Sequence, residues 1–263
     1  MFTGRPDLRG GTFPSGPRVQ IIFFSDAHLS REDKPRVTLV NRFIRDVCAT
    51  ADLVCIMGDV FEFYHGHDGY FYPWYEEIME ALREIAGGKR PVYFIEGNHE
   101  FGLGKGFETF TGVTVVGNLT LDIDGKRTFV SHGDEVGSPY LRNLLKSRFT
   151  LALMDLFGPE LTWKIAMFCR IFLSKRDKRY DAAVRERFRR YAEKKLSEDY
   201  DAVVLAHSHI PDLCTFHAGG KVKTYLNTGD LCECLSYGEY TTAGGFAVRT
   251  YDAGSTCLPH PEG

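Results

Sequence analysis

Val19-Gln20-Ile21-Ile22-Phe23-Phe24-Ser25-Asp26-Ala27-His28 decides how this chain is read. A short, apolar, β-rich run leads straight into a carboxylate and an imidazole one residue apart. The arrangement recurs along the chain. Leu53 to Met57 leads to Gly58-Asp59, and Val92 to Ile95 leads to Gly97-Asn98-His99. Thr128 to Ser131 leads to His132-Gly133-Asp134, and Ala202 to Ala206 leads to His207-Ser208-His209. Runs of this length and composition are expected as buried strands. In α/β proteins, ligand sites collect just past the carboxyl ends of strands. Polar groups placed there five times predict an α/β fold with one metal site gathered from the whole chain.

The donors are Asp26, His28, Asp59, Asn98, His132, His207 and His209. No thiolate is among them, and a mixture of carboxylate, amide and imidazole suits Mn, Fe or Zn. Seven donors exceed one tetrahedral ion and fit two divalent ions that share a ligand. Asp59, alone in its motif and with two oxygens, is the candidate bridge. Two divalent ions against two carboxylates leave net positive charge, which draws a phosphate anion. Ions about 3.5–4 Å apart can activate a water and clamp the oxygens of an in-line displacement. His99, left over beside Asn98, is the candidate catalytic residue, donating a proton or hydrogen bond to the reacting phosphate. Any of these histidines alone would read as a surface or core residue; their joint order carries the reading.

The order D-x-H, GD, GNH, H and H-x-H, from Val19 to about Thr250, resembles the calcineurin-like metallophosphoesterases. The resemblance implies an α/β sandwich of two mixed β-sheets flanked by helices. It implies one metal held by Asp26, His28, Asp59 and His209, and the other by Asp59, Asn98, His132 and His207. The chain departs from the family pattern in two places. Glu62 ends a GDxxD-like stretch, and Glu100 follows His99 where Asp is usual, at a place from which it would orient His99. Ala206 stands where Gly is common.

Of the 263 residues 43% are hydrophobic, enough for one large core, and the formal net charge of −3 excludes no partner class. Seven cysteines in no regular framework, with no signal-peptide pattern, predict a reducing cytoplasm. Cys232-Glu233-Cys234 lacks the spacing of a zinc pair and reads as structural. Residues 1–17 and 254–263 read as flexible extensions around a domain of residues 18–253. Helices are expected at 41–48 and 74–86. Strands are expected at 113–123, 126–131, 223–227 and 244–250, with Asp124-Gly125 as a hairpin turn.

Between His132 and His207 lies a stretch of helical pattern, about 140–195. Leu141, Leu144, Leu145, Phe149, Leu153 and Leu156 recur at helical spacing. Gly158-Pro159 breaks that run, and Trp163, Ile165, Met167, Phe168, Ile171 and Phe172 form a second one. The second run is too short and too charged for a membrane span. Residues 140–195 carry fifteen Lys and Arg against six Asp and Glu, so the basic charge of an acidic chain is concentrated here. Large apolar residues among basic ones suit an acylated, phosphorylated substrate or the anionic inner face of a membrane. Packing of the helices against the core is the plainer use of the same residues.

Ile56 to Glu62, Tyr93 to Asn98, Phe101 to Gly104 and Ser131 to Asp134 are similar to the UDP-2,3-diacylglucosamine hydrolases of lipid A synthesis. A helical insertion follows where those enzymes carry an acyl-chain lid. The resemblance implies manganese and cleavage of a UDP-linked acylated sugar to UMP and a lipid sugar phosphate. Asn98, Trp163, Phe168, Lys175 and Arg176 are the substrate-contact candidates. His99 stands where those enzymes often have Arg, which keeps other pyrophosphates and phosphodiesters in play. His65-Gly66-His67-Asp68 could read a head group or hold a further metal, and reads more simply as a polar loop. A nuclease with the basic insertion as a rail and a non-enzymatic scaffold are the competing functions.

Overall fold

The computed structural model describes residues 8–12, 18–67, 70–88, 90–137, 146–173 and 181–253. Two six-stranded sheets pack face to face. The first contains β2 (Gln20–Phe24), β3 (Leu53–Ile56), β5 (Val92–Ile95), β7 (Thr114–Val116), β13 (Ser236–Thr241) and β14 (Gly245–Thr250), in the order β14-β13-β2-β3-β5-β7. The second contains β1 (Leu8–Thr12), β8 (Leu119–Ile123), β9 (Lys126–Val130), β10 (Ala202–Leu205), β11 (Asp212–Ala218) and β12 (Lys221–Asn227), in the order β1-β8-β9-β10-β12-β11. A two-stranded ladder joins β4 (Tyr64–His65) to β6 (Glu100–Phe101).

Side chains alternate across each strand, so a strand covered on both faces must be apolar throughout. Ile21 and Phe23 of β2 point into the sandwich, against Leu121, Val130, Val204 and Leu226 of the other sheet. Ile22 and Phe24 point outward, against α1 (Lys34–Asp46), α2 (Glu76–Gly87) and α3 (Gly104–Thr111). This explains the uninterrupted apolar runs. The second sheet is covered by α5 (Ala182–Ser197), whose Phe188, Ala192 and Leu196 lie on Val203, Leu205 and Tyr225. The α/β two-sheet sandwich with flanking helices is therefore the observed architecture.

Strands β2, β3, β5 and β7 run parallel in one sheet, as do β9, β10 and β12 in the other. Six of these seven strand ends, all but that of β7, lead into the polar groups gathered on one rim of the sandwich.

Three expectations change. The run 113–123 is not one strand. It splits at Gly117-Asn118, where the chain leaves the first sheet as β7 and enters the second as β8. Val116 and Leu119 both face the inter-sheet core, so the apolar pattern continues across the corner. Leu8–Thr12 was expected in a flexible extension, yet pairs in parallel with β8. A sheet edge offers unpaired backbone groups to any extended segment, whatever its side chains. The helix expected at 41–48 begins seven residues earlier, at Lys34, where Asp33 Oδ1 accepts the Arg36 N–H at 3.1 Å as an N-cap and Pro35 stands in the first turn. The rest of residues 1–17 and the tail 254–263 lie outside the described residues.

The insertion contributes α4 (Arg148–Leu173), interrupted at Gly158, whose φ of 72° and ψ of 169° are not helical. Pro159 follows at once, so the break falls where the sequence places it. No helix among the described residues is long and apolar enough to cross a membrane.

Candidate metal centre

All seven donors meet at the rim. His28 Nε2 lies 3.3 Å from His209 Nε2, and Asp26 Oδ1 lies 3.4 Å from that same nitrogen. On the other side, His132 Nε2 is 3.1 Å from His207 Nδ1, 3.2 Å from Asn98 Oδ1 and 3.4 Å from Asp59 Oδ2. Asp59 stands between the two groups: ligand atoms of His28 and His99, and of His132 and His207, lie within 4.8 Å of its carboxylate.

Local conformation shows how tightly the positions are imposed. Asp26, His28, Asp59, His207 and His209 all have φ between 44° and 64°. Non-glycine residues rarely adopt this left-handed region, and such strain persists where surrounding structure over-determines it. Gly97 shows the same crowding, since a Cβ there would sit 2.2 Å from Asp59 Oδ1. The asparagine motif can lie this close to Asp59 only because it begins with glycine.

The donor set fits divalent ions. Pairs of imidazole nitrogens face each other at 3.1 and 3.3 Å, an arrangement that calls for a cation between them. Asp26 Oδ1 is buried and accepts no hydrogen bond from the described protein. His132 is oriented as ligating histidines are, with Nδ1 2.7 Å from the Met57 carbonyl oxygen and Nε2 turned to the cluster.

The calcineurin-like phosphoesterase family model matches residues 19–211. The chain belongs to that family. A protein of Stenotrophomonas maltophilia (strain K279a) named UDP-2,3-diacylglucosamine hydrolase is 28% identical over 244 residues, 87% of this chain and 97% of that protein. One of the same name from Aeromonas hydrophila is 33% identical over 117 residues, 44% of this chain and 48% of that protein, so that match spans about half the relative's length. A solved structure from Streptococcus pneumoniae, described as a predicted phosphoesterase, aligns over 90% of this chain and 100% of its own at 13% identity and a TM-score of 0.37. As a calcineurin-like phosphoesterase the chain is a metal-dependent hydrolase.

Charge in the phosphoesterase cluster is finely set. Burial would raise the Asp59 pKa, but His132, His99 and His28 hold it well below the usual carboxylate range. Asp26 goes the other way, raised by burial despite His209 and His132. Burial opposes a proton on His132, yet Asp59 and Asp26 push its pKa up to about 10. Burial likewise opposes a proton on His209, which Asp26 and Asp230 raise to about 9. Burial and the charge of His132 press His207 down to about 3.

At pH 7.5 the metal-free protein holds protons on His132 and His209, because that pH lies below both raised values. A ligating imidazole must be neutral, so metal uptake releases protons. Titration calorimetry of the metal-stripped protein, in buffers of different ionisation enthalpy, should show about two protons released. Apparent affinity should rise with pH toward 9–10 and fall on acidification. Uptake with no proton release would remove His132 and His209 from the ligand set.

Sequence reasoning misplaced or missed several supports. Glu100 does not orient the His99 ring. Its buried carboxylate accepts the N–H groups of Asp59 and Gly97 at 2.9 Å, Val60 at 3.0 Å and Phe61 at 3.3 Å. The longer acid thus ties two motif loops together. The Glu62 backbone oxygen orients His99, 2.7 Å from its Nδ1. Asp230 was overlooked. Its Oδ2 lies 3.4 Å from His209 Nδ1, and its Oδ1 accepts the N–H groups of Cys232, Glu233 and Cys234. Gly229-Asp230 follows the end of β12 much as Gly58-Asp59 follows β3, and that repetition was the available signal.

The insertion candidates divide. Trp163 is buried, only 8% exposed, edge to face with Trp74 at 5.1 Å. It anchors α4 to the core and is removed from the solvent-facing contacts. Phe168 is 61% exposed. Lys175 and Arg176 lie outside the described residues, as do Leu141, Leu144 and Leu145.

Proposed function

We propose that this phosphoesterase hydrolyses the pyrophosphate bond of a UDP-linked, acylated sugar of the UDP-2,3-diacylglucosamine type, giving UMP and a lipid sugar phosphate. The observation that carries the reading is an apolar face on α4. Phe149, Leu153, Leu156 and Phe157 before the kink, and Leu161, Ile165 and Phe168 after it, are all exposed. They recur at helical spacing, while Leu151, Met154, Ala166 and Met167 on the same helix turn toward the core. Contiguous apolar surface of this kind marks a binding face. It is tethered beside the metal centre: Lys146, just before α4, donates to the Gly97 carbonyl oxygen next to Asn98. The names of the relatives agree with such a substrate.

Two divalent ions, manganese in this proposal, would supply charge neutralisation and an activated water. Asp26, His28, Asp59 and His209 would hold one, and Asp59, Asn98, His132 and His207 the other. His99 does the remaining protein chemistry. Its Nδ1–H donates to the Glu62 carbonyl, which turns Nε2 toward the centre, 3.9 Å from Asp59 Oδ2. Burial works against a charge on His99, but Asp59 and Glu62 outweigh it and raise its pKa. With Nδ1 committed to the carbonyl, a proton on Nε2 would go to the phosphoryl oxygen or the leaving group. Asn98 would contact the phosphate as well. Exposed Arg187, Arg190 and Lys194 on α5 add basic surface suited to the anionic inner leaflet of the cell membrane, where a cytoplasmic enzyme would meet a lipid substrate.

The test is a manganese-supplemented assay comparing UDP-2,3-diacylglucosamine, bis(p-nitrophenyl) phosphate and single-stranded DNA, with products identified by phosphorus detection. The lipid nucleotide should be cleaved fastest. Preference for DNA would replace this reading with a nuclease. Replacing Phe149 and Leu156, 79% and 78% exposed, by Ser should leave folding and the small diester untouched. Each side chain lost from an acyl contact is worth at most about 1.5–3 kcal/mol. The Michaelis constant for the lipid should rise about 10- to 100-fold, at a factor of ten per 1.4 kcal/mol. Unchanged kinetics on the lipid would take the acyl chains off α4.

A further inference from the structure

His65 and His67 lie outside the strand-end cluster, and the hydrolytic chemistry leaves them unused. His65 ends β4 and is buried, with Nδ1 2.6 Å from the Phe101 carbonyl oxygen. A carbonyl only accepts, so the ring proton belongs on Nδ1 and Nε2 offers a lone pair. That Nε2 faces Asp155 Oδ1 of α4 at 2.8 Å. The His67 ring stands edge to face with His65, centroids 4.5 Å apart, its Nδ1 3.7 Å from the same carboxylate oxygen. His67 Nε2 is buried and makes no hydrogen bond.

A lone pair and a carboxylate 2.8 Å apart need a positive charge between them. A proton would serve His65 alone and leave the second imidazole turned to the same oxygen. A divalent ion serves all three. The three ligand atoms lie within 4.8 Å of one another. Tetrahedral zinc ligands, about 2.0–2.2 Å from the ion, stand roughly 3.4 Å apart, so small side-chain adjustments suffice. The backbone between the histidines is clamped. A Cβ on Gly66 would sit 2.3 Å from the Leu103 carbonyl oxygen, and the Gly66 N–H donates to Gly102 at 2.9 Å. The β4–β6 ladder thus holds the His65 backbone, and the Gly66 and His67 N–H bonds to Gly102 and His65 hold the chain on to His67, before any ion arrives. Burial, then the neighbouring His65, lowers the His67 pKa and favours the neutral, ligating form. Asp155, 62% exposed at its side chain, leaves an approach from solvent.

We infer that His65, His67 and Asp155 form a third cation site, for a transition-metal ion of the zinc class, that pins the insertion helix to the catalytic core. Imidazole and carboxylate ligands suit zinc, and water would complete its coordination. The ion closes a contact between β4 and the first leg of α4, three residues before the kink at Gly158. It would hold the stripe of Phe149, Leu153 and Leu156 in place. The inference needs neither the acylated substrate nor the two-ion reading of the rim.

Full-length protein is stripped with a chelator, saturated with zinc, freed of excess ion and counted by plasma mass spectrometry. The wild type should hold one more zinc per chain than Asp155→Ala and than His67→Ala. Asp155→Ala changes a surface side chain and should fold normally. Hydrolysis of bis(p-nitrophenyl) phosphate should persist in both variants. Amide hydrogen exchange gives a second measure. Zinc at 100 times its Kd should slow exchange around Asp155 by up to about 100-fold in the wild type, with no zinc effect in Asp155→Ala. Equal zinc counts in wild type and both variants would overturn the site and leave a proton-bridged ion pair in its place. Asp59→Ala, counted in parallel, reports on the rim separately, so failure of the two-ion centre cannot be mistaken for failure of this site.

Discussion

Asp59→Ala should abolish hydrolysis and strip both ions from the rim. Among the described residues Asp59 is the one carboxylate grouped with histidines of both halves of the cluster, and its two oxygens have separate tasks. Oδ1 accepts the His99 N–H at 2.9 Å, while Oδ2 faces His132 Nε2 at 3.4 Å. The alanine variant loses a shared ligand, the charge that neutralises the surrounding imidazoles, and the bond that fixes the His99 backbone. Turnover of bis(p-nitrophenyl) phosphate should fall below detection, and metal analysis should show loss at both rim positions. Asp59→Asn keeps the shape and an acceptor for the His99 N–H, so it isolates the charge; it too should be inactive. Asn98→Ala removes a neutral ligand from one side only and should cost metal there while the other ion stays. Two retained ions and normal turnover in Asp59→Ala would refute the assigned centre.

What the sequence made legible follows from where its information is redundant. The strand stretches before Asp26, Asp59, Asn98, His132 and His207 are mostly buried on both faces and mostly apolar, so the runs are conspicuous. Their polar endings stood out against that background. β11 and β13 gave no such contrast, because one face of each is half open and their patterns are mixed. β1 is held through backbone pairing at a sheet edge, which leaves little trace in side chains.

Within the site, the side chains that would touch an ion were legible and those that hold them were not. Glu100 acts through four backbone N–H groups, and sequence does not say which amides a buried acid will collect. Trp163 and Phe168 looked alike as apolar residues of one helix. α4 is apolar on two faces, so its periodicity cannot tell the buried face from the open one. Only the packing of Trp163 on Trp74 separates them.

His99→Ala should lower turnover by roughly 10²–10⁴, the range for a positioned proton donor, with metal content nearly unchanged. Each ring nitrogen of His99 has its own use. Nδ1 is committed to the Glu62 carbonyl at 2.7 Å, and a nitrogen that donates to a carbonyl cannot also ligate. Nε2 remains, 3.9 Å from Asp59 Oδ2, on a side chain that is 27% exposed and so reachable by substrate. The pKa of His99 is raised by Asp59 and Glu62 against the opposing effect of burial, so the acid form outlasts that of a free imidazole as pH rises. Turnover that depends on this proton is present below the raised pKa and lost above it. The alkaline limb of the wild-type pH–rate profile should therefore disappear in His99→Ala, leaving a low and flatter residual rate. His99→Gln, which can donate a hydrogen bond but no proton, should restore little of the lost rate if proton transfer is the task, and much of it if electrostatic stabilisation is. Loss of an ion from His99→Ala would make His99 a ligand and reassign the histidines of the rim.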